Sequence, residues 1–193
     1  MDKIVFYRPQ TPVAGEYFKS TFAVDYLTNV ARLKNEDEFD ALMRPVFGDD
    51  IPRHTYAALR NALLAGFIHP PHIEPVQGGP VMADYDNRDR IIRINSGIME
   101  GIMFAPDPEA DREVYLLVIL LHEFGHHIDN VLRHDLCDKD EHGMPTLAPD
   151  APREEGGRFA LSMLEVFKPE DREQMDDWLF HPDKPDELLL GFY

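Results

Sequence analysis

Leu121-His122-Glu123-Phe124-Gly125-His126-His127-Ile128-Asp129 is the stretch on which the reading of this chain turns. It closes the most apolar run in the sequence, Val114-Tyr115-Leu116-Leu117-Val118-Ile119-Leu120-Leu121, which follows Ala105-Pro106-Asp107-Pro108-Glu109. Asp107 offers an oxygen to free N–H groups, and Pro108 suits the first helical position, where its missing donor costs nothing. One helix is predicted from about Pro108 to Arg133. Leu116 to Leu121 is apolar all the way round, so this helix belongs inside a packed domain. The apolar run, about eight residues, is too short to cross a bilayer, which takes roughly twenty.

On such a helix His122 and His126 are four residues apart and project from one face, so two imidazole nitrogens can meet one ion. Glu123 is offset around the helix and falls beside that ion. This is the HExxH arrangement, in which two histidines hold zinc and the glutamate acts as general base on water. The competing reading is a pair of buried, hydrogen-bonded histidines; two histidines and a glutamate at this spacing, ending a buried helix, favour the metal.

The chain has 193 residues, enough for one domain with a substantial core. Lys and Arg number 19 against 36 Asp and Glu, a formal net charge of −17. With no basic cluster interleaved with aromatics, nucleic acid is excluded as an expected partner. A solvated acidic surface explains the charge. Met1 to Arg8 has no long apolar stretch followed by a small-residue cleavage site, so no signal peptide and no membrane anchor are expected. Cytoplasmic synthesis is the expectation, and export by a signal-independent secretion system is compatible with it. The single cysteine, Cys137, excludes an internal disulfide framework.

Working outward, Lys3-Ile4-Val5-Phe6-Tyr7 reads as a short strand stopped by Pro9 and Pro12. A helix is expected from about Glu16 to Lys34, with Phe18, Phe22, Tyr26, Val30 and Leu33 facing the core. A second should run from Glu36 to Met43 and stop before Pro45, and a third from His54 to Gly66 with Tyr56, Leu59 and Leu63 inward. His69 to Pro75 should break regular structure, with His69 and His72 on a surface loop. Val81 to Tyr85 and Arg90 to Asn95 read as a hairpin, with Arg90 to Asn95 as an exposed edge able to pair with an extended substrate. The domain expectation is a helical N-terminal region, 1–75, packed on a catalytic part, 76–193. The fold class expected is α+β, with a small sheet beside the HExxH helix. Arg133 to Gly143, strongly polar, reads as a loop over the site. Arg153 begins a helix closed by Pro169, and Glu170 to Phe180 is a last amphipathic piece.

A catalytic zinc has three protein ligands and one open position. A histidine on a tight turn after the motif is excluded as the third, because Asp129 and Leu132 occupy those positions. His134 and His142 remain as minor candidates. Glu155 and Glu154 compete for the place. Helical period puts Phe159, Met163, Val166 and Phe167 inward with Glu155 at the border of that face and Glu154 on the polar side, so Glu155 is preferred. Gly156 and Gly157, costly inside a helix, make sense if the backbone there approaches the metal helix closely. Glutamates favoured by the helix dipole would explain the acidic first turn without a metal, but not the glycines.

With these parts together, the sequence resembles the gluzincin-type zinc metallopeptidases. The matching residues are His122-Glu123-Phe124-Gly125-His126-His127-Ile128-Asp129 and Glu154-Glu155-Gly156-Gly157-Arg158-Phe159-Ala160. They look like the small bacterial ImmA/IrrE-type members and are similar to anthrax lethal factor-like catalytic domains. The resemblance spans about Val81 to Phe167, and Gly-Gly departs from the usual alanine and acidic or amide pair. It implies a zincin-like fold, one Zn²⁺ per chain, and a metalloendopeptidase acting on a protein or peptide substrate, the enzyme itself being a delivered bacterial effector or toxin. Alternatives are a regulatory ImmA-like peptidase that cleaves a repressor and a non-catalytic zincin-fold binding protein. The expected roles are Glu123 as general base, His122, His126 and Glu155 or Glu154 on the metal, and Asp129 behind a ligand. Tyr115, His134 and His142 are candidate oxyanion donors.

Overall fold

The computed structural model describes residues 21–77, 82–97, 109–149 and 154–164. The strand expected at Lys3 to Tyr7, the Asp107-Pro108 start, the side chains of Phe18, Phe22, Tyr115, Val166 and Phe167, and the piece from Glu170 to Phe180 lie outside the described residues.

Three helices come first: α1 (Thr21–Leu33), α2 (Glu36–Phe47) and α3 (Arg53–Leu64). Asn35 starts α2 with a reciprocal cap, its side chain accepting from Glu38 N at 3.0 Å while Glu38 accepts from Asn35 N at 2.9 Å. Contrary to expectation, α2 runs through Pro45. A proline inside a helix costs about 3 kcal/mol, but Val46 and Phe47 beyond it are buried, each worth about 1.5–3 kcal/mol. Gly48, at φ 116°, then ends the helix with its N–H on Arg44 O. Tyr26 and Val30 are buried as expected, but Leu33 is 49 % exposed. The inward stripe of α1 continues through Leu27 and Ala31 instead, because Leu33 sits at the helix end, past the last packed turn.

The sheet has the order β1-β3-β2, from β1 (His72–Val76), β2 (Ala83–Asp86) and β3 (Ile91–Asn95). The hairpin of β2 and β3 is antiparallel, with Tyr85 opposite Ile92 and Asp84 opposite Arg93. Asp86 nucleates the turn by accepting from Arg88 N and Asp89 N, and Arg90 takes φ 57°. Two expectations are corrected here. His72 to Val76 is a strand, parallel to β3, despite Pro75. An edge strand tolerates proline because one side of it makes no ladder bonds. For the same reason Arg90 to Asn95 is no edge: β3 is the central strand, and β1 and β2 carry the outer sides.

Helix α4 (Glu109–Asn130) continues into one wide π turn, Val131–Asp135, with Leu136 N on Val131 O. Its apolar circumference has two destinations. Leu120 packs with Ile73, Ile92 and Ile94 of the sheet, whereas Val118, Leu121, Phe124 and Ile128 enter the core shared with α1 to α3. Helix α5 (Glu155–Leu164) covers the site end of α4 and is held by three ties. Phe159 fits between Phe47 and Phe124, Arg158 donates to Val46 O, and Tyr26 Oη donates to Met163 O at 2.9 Å. The architecture is therefore α+β, five named helices and a three-stranded sheet among the described residues. None of these helices is long and apolar enough to cross a membrane.

Candidate metal centre

His122 and His126 project from α4 toward the N-terminus of α5, four residues apart as the helix requires. Their Nε2 atoms are 3.3 Å from one another, and Glu154 Oε1 lies 3.3 Å from each. Three lone-pair atoms thus form a nearly equilateral triangle. Zinc bound by nitrogen and oxygen at roughly 2.0–2.1 Å in a tetrahedron holds its ligands roughly 3.3–3.4 Å apart, so these three donors have the spacing of one tetrahedral face. His122, His126 and Glu154 are the metal-capable group found among the described residues.

Of the two competing glutamates, Glu154 is the one that joins the histidines. Helical period misdirects the choice because Glu154 precedes the helix. It caps α5, with Oε2 accepting from Gly157 N at 2.8 Å while Oε1 faces the histidines. Glu155, buried at 5 % exposure, goes to the other side of the His126 ring, its Oε1 2.7 Å from Nδ1. The glycines are placed as their composition suggests. A Cβ on Gly156 would lie 2.7 Å from His126 Nε2 and 2.8 Å from His122 O, and one on Gly125 would lie 2.9 Å from Gly156 Cα. Only bare backbone on both helices lets α5 bring Glu154 to the histidines.

Glu123 is 3 % exposed, and its Oε2 has no hydrogen-bond partner among the described residues. Burial pushes its pKa up to about 7. Burial also lowers His122 to about 4; at His126 burial pulls the same way but is outweighed by hydrogen bonds to Glu154 and Glu155, which raise it to about 10.

The neighbouring His127, which the motif does not use, is fixed differently. Its Nε2–H donates to His69 O at 3.1 Å, so Nδ1 accepts from Tyr85 Oη at 3.0 Å. Burial keeps this ring neutral, with a pKa near 4, and lifts Tyr85 to about 12. Sequence pattern alone did not reveal this link between β2, α4 and the residues before β1; a second histidine beside a motif histidine is its only trace. Asp129 is buried and accepts from Arg133 Nε at 2.8 Å, and the carboxylate on His126 Nδ1 is that of Glu155. His134 is half-buried and His142 exposed; neither belongs to the metal-capable group. No protein-family model, curated protein or solved structure matches the chain.

Proposed function

We propose that the chain is a zinc metalloendopeptidase of the gluzincin type, with His122, His126 and Glu154 holding one Zn²⁺ and Glu123 moving the proton. The observation that carries this reading is the 3.3 Å triangle of His122 Nε2, His126 Nε2 and Glu154 Oε1 beside a buried carboxylate. Held by these three residues, zinc would supply Lewis acidity to polarise a peptide carbonyl and to bring the pKa of water toward neutrality.

The remaining work falls to the chain. Glu123 Oε2 takes the proton of the attacking water and passes it to the leaving amine; the carboxylate is buried beside the triangle and that oxygen has no other partner among the described residues. The packing of Leu121, Phe124 and Phe159 keeps bulk water from the buried side of the cluster. An extended substrate would add its backbone to the outer side of β2, the edge strand that the Tyr85–His127 bond ties to α4.

Elemental analysis of protein purified without chelator should give about one zinc per chain, lost in Glu154→Ala. Glu123→Gln should keep the zinc and slow hydrolysis of an unfolded protein substrate by about 10²–10⁴-fold. A parent that holds no zinc even after reconstitution refutes the proposal.

A further inference from the structure

We propose that Glu155 is the positioning residue of His126, fixing which ring atom faces the metal group, and that it does not itself bind the ion. The inference rests on reading His122, His126 and Glu154 as a metal site.

The geometry separates two adjacent glutamates. Glu154 precedes α5 and reaches the Nε2 side of His126; Glu155 is the first residue of α5 and reaches the Nδ1 side, at 2.7 Å. These are opposite sides of one imidazole ring, so a carboxylate oxygen bonded at Nδ1 is turned away from an ion held at Nε2. A carboxylate accepting at Nδ1 keeps the hydrogen there, which leaves Nε2 as the ring atom able to give its lone pair to an ion. Rotating the ring by half a turn would place carbon atoms at both positions and lose both interactions. Glu155 therefore selects the tautomer and the ring orientation together, and its negative charge makes the imidazole a stronger donor to a cation.

Rigidity makes the selection effective. Glu155 is buried, and the residue after it, Gly156, lies against Gly125 and both histidines with no space for a Cβ. Its carboxylate can shift little without moving α5. The functional consequence is that the same helix start delivers one ligand and sets the direction of another.

The test is zinc affinity of the full chain, measured by competition with a chelating fluorophore, in the parent, Glu155→Ala, Glu155→Gln and Glu154→Ala. Glu155→Ala should still bind one zinc per chain, with a Kd raised about 10–100-fold. Glu155→Gln should lose less, because its amide oxygen still accepts from Nδ1–H. This isosteric variant carries the test where Ala disturbs folding. In the zinc-loaded parent the His126 Nδ1–H proton should resonate far downfield in ¹⁵N-edited spectra, move upfield in Glu155→Gln and vanish in Glu155→Ala. Unchanged affinity and resonance in the Glu155 variants overturn the positioning role while leaving the metal site intact. Loss of all zinc from Glu155→Ala, as from Glu154→Ala, overturns it by making Glu155 a ligand. A parent without zinc overturns both readings at once.

Discussion

Helix α4 and the turn after it carry two buried clusters of charge, about two helical turns apart, and they are built on opposite terms. At Arg133 every N–H of a fully buried guanidinium is engaged: Nε on Asp129, Nη1 on Asp50 and Ala148 O, Nη2 on Phe47 O and Asp50. At His122 and His126 the reverse holds, with three possible ligand atoms, two imidazole nitrogens and a carboxylate oxygen, converging on one point. A cluster whose donors and acceptors match is finished; it can only hold structure. A cluster of converging ligand atoms could be completed by a cation, and this difference, not burial, sets the two apart.

The largest expected effect tests the finished cluster. Arg133→Met leaves Asp129 buried without its cation and should cost about 3–5 kcal/mol in urea unfolding, by the same amount with and without chelator. Zinc-dependent loss would erase the distinction. Next comes the site. Glu123, raised from 4.5 to about 7, favours the folded state when protonated; that contribution is full below pH 4.5 and lost as pH rises through 7. Metal-free Glu123→Gln should therefore be more stable than the parent by about 3 kcal/mol at pH 8, at about 1.4 kcal/mol per unit, and match it in acid. Thermal unfolding at the two pH values measures this.

Zinc itself, at a hundred times its Kd, should stabilise the parent by about 2.7 kcal/mol. Arg133→Met should keep that increment and Glu154→Ala should lose it, as calorimetry would report. The smallest effect belongs to Asp50, whose pKa is lowered chiefly by its hydrogen bond to Arg133. Its side chain is 44 % exposed, so screening limits Asp50→Asn to about 1 kcal/mol or less. The loss should be present at pH 7 and fade as pH falls through the lowered pKa.

Sequence pattern reaches the first of these clusters poorly and the second well. The i, i+4 histidines, the adjacent glutamate and the buried helix follow from spacing and hydropathy, and Gly156 announces a close backbone approach. The choice between Glu154 and Glu155 is hidden because a helical wheel has no meaning for a residue that caps the helix. Strand order is hidden too: nothing local tells β3 that β1, whose His72 pairs with Ile91, will lie parallel on its other side. Arg133 reads as an ordinary charge near a helix end, since its partners at Phe47, Asp50 and Ala148 are brought in only by the fold.

Glu154 spends its two carboxylate oxygens on different tasks, one toward the histidines and one on the Gly157 amide. The start of α5 and the occupancy of the centre are thereby linked, so whatever holds Oε1 in place also holds Oε2 against the Gly157 amide. Gly157 N–H becomes a built-in gauge: its exchange with deuterated solvent should slow when zinc is added, reporting the state of the centre with no substrate present.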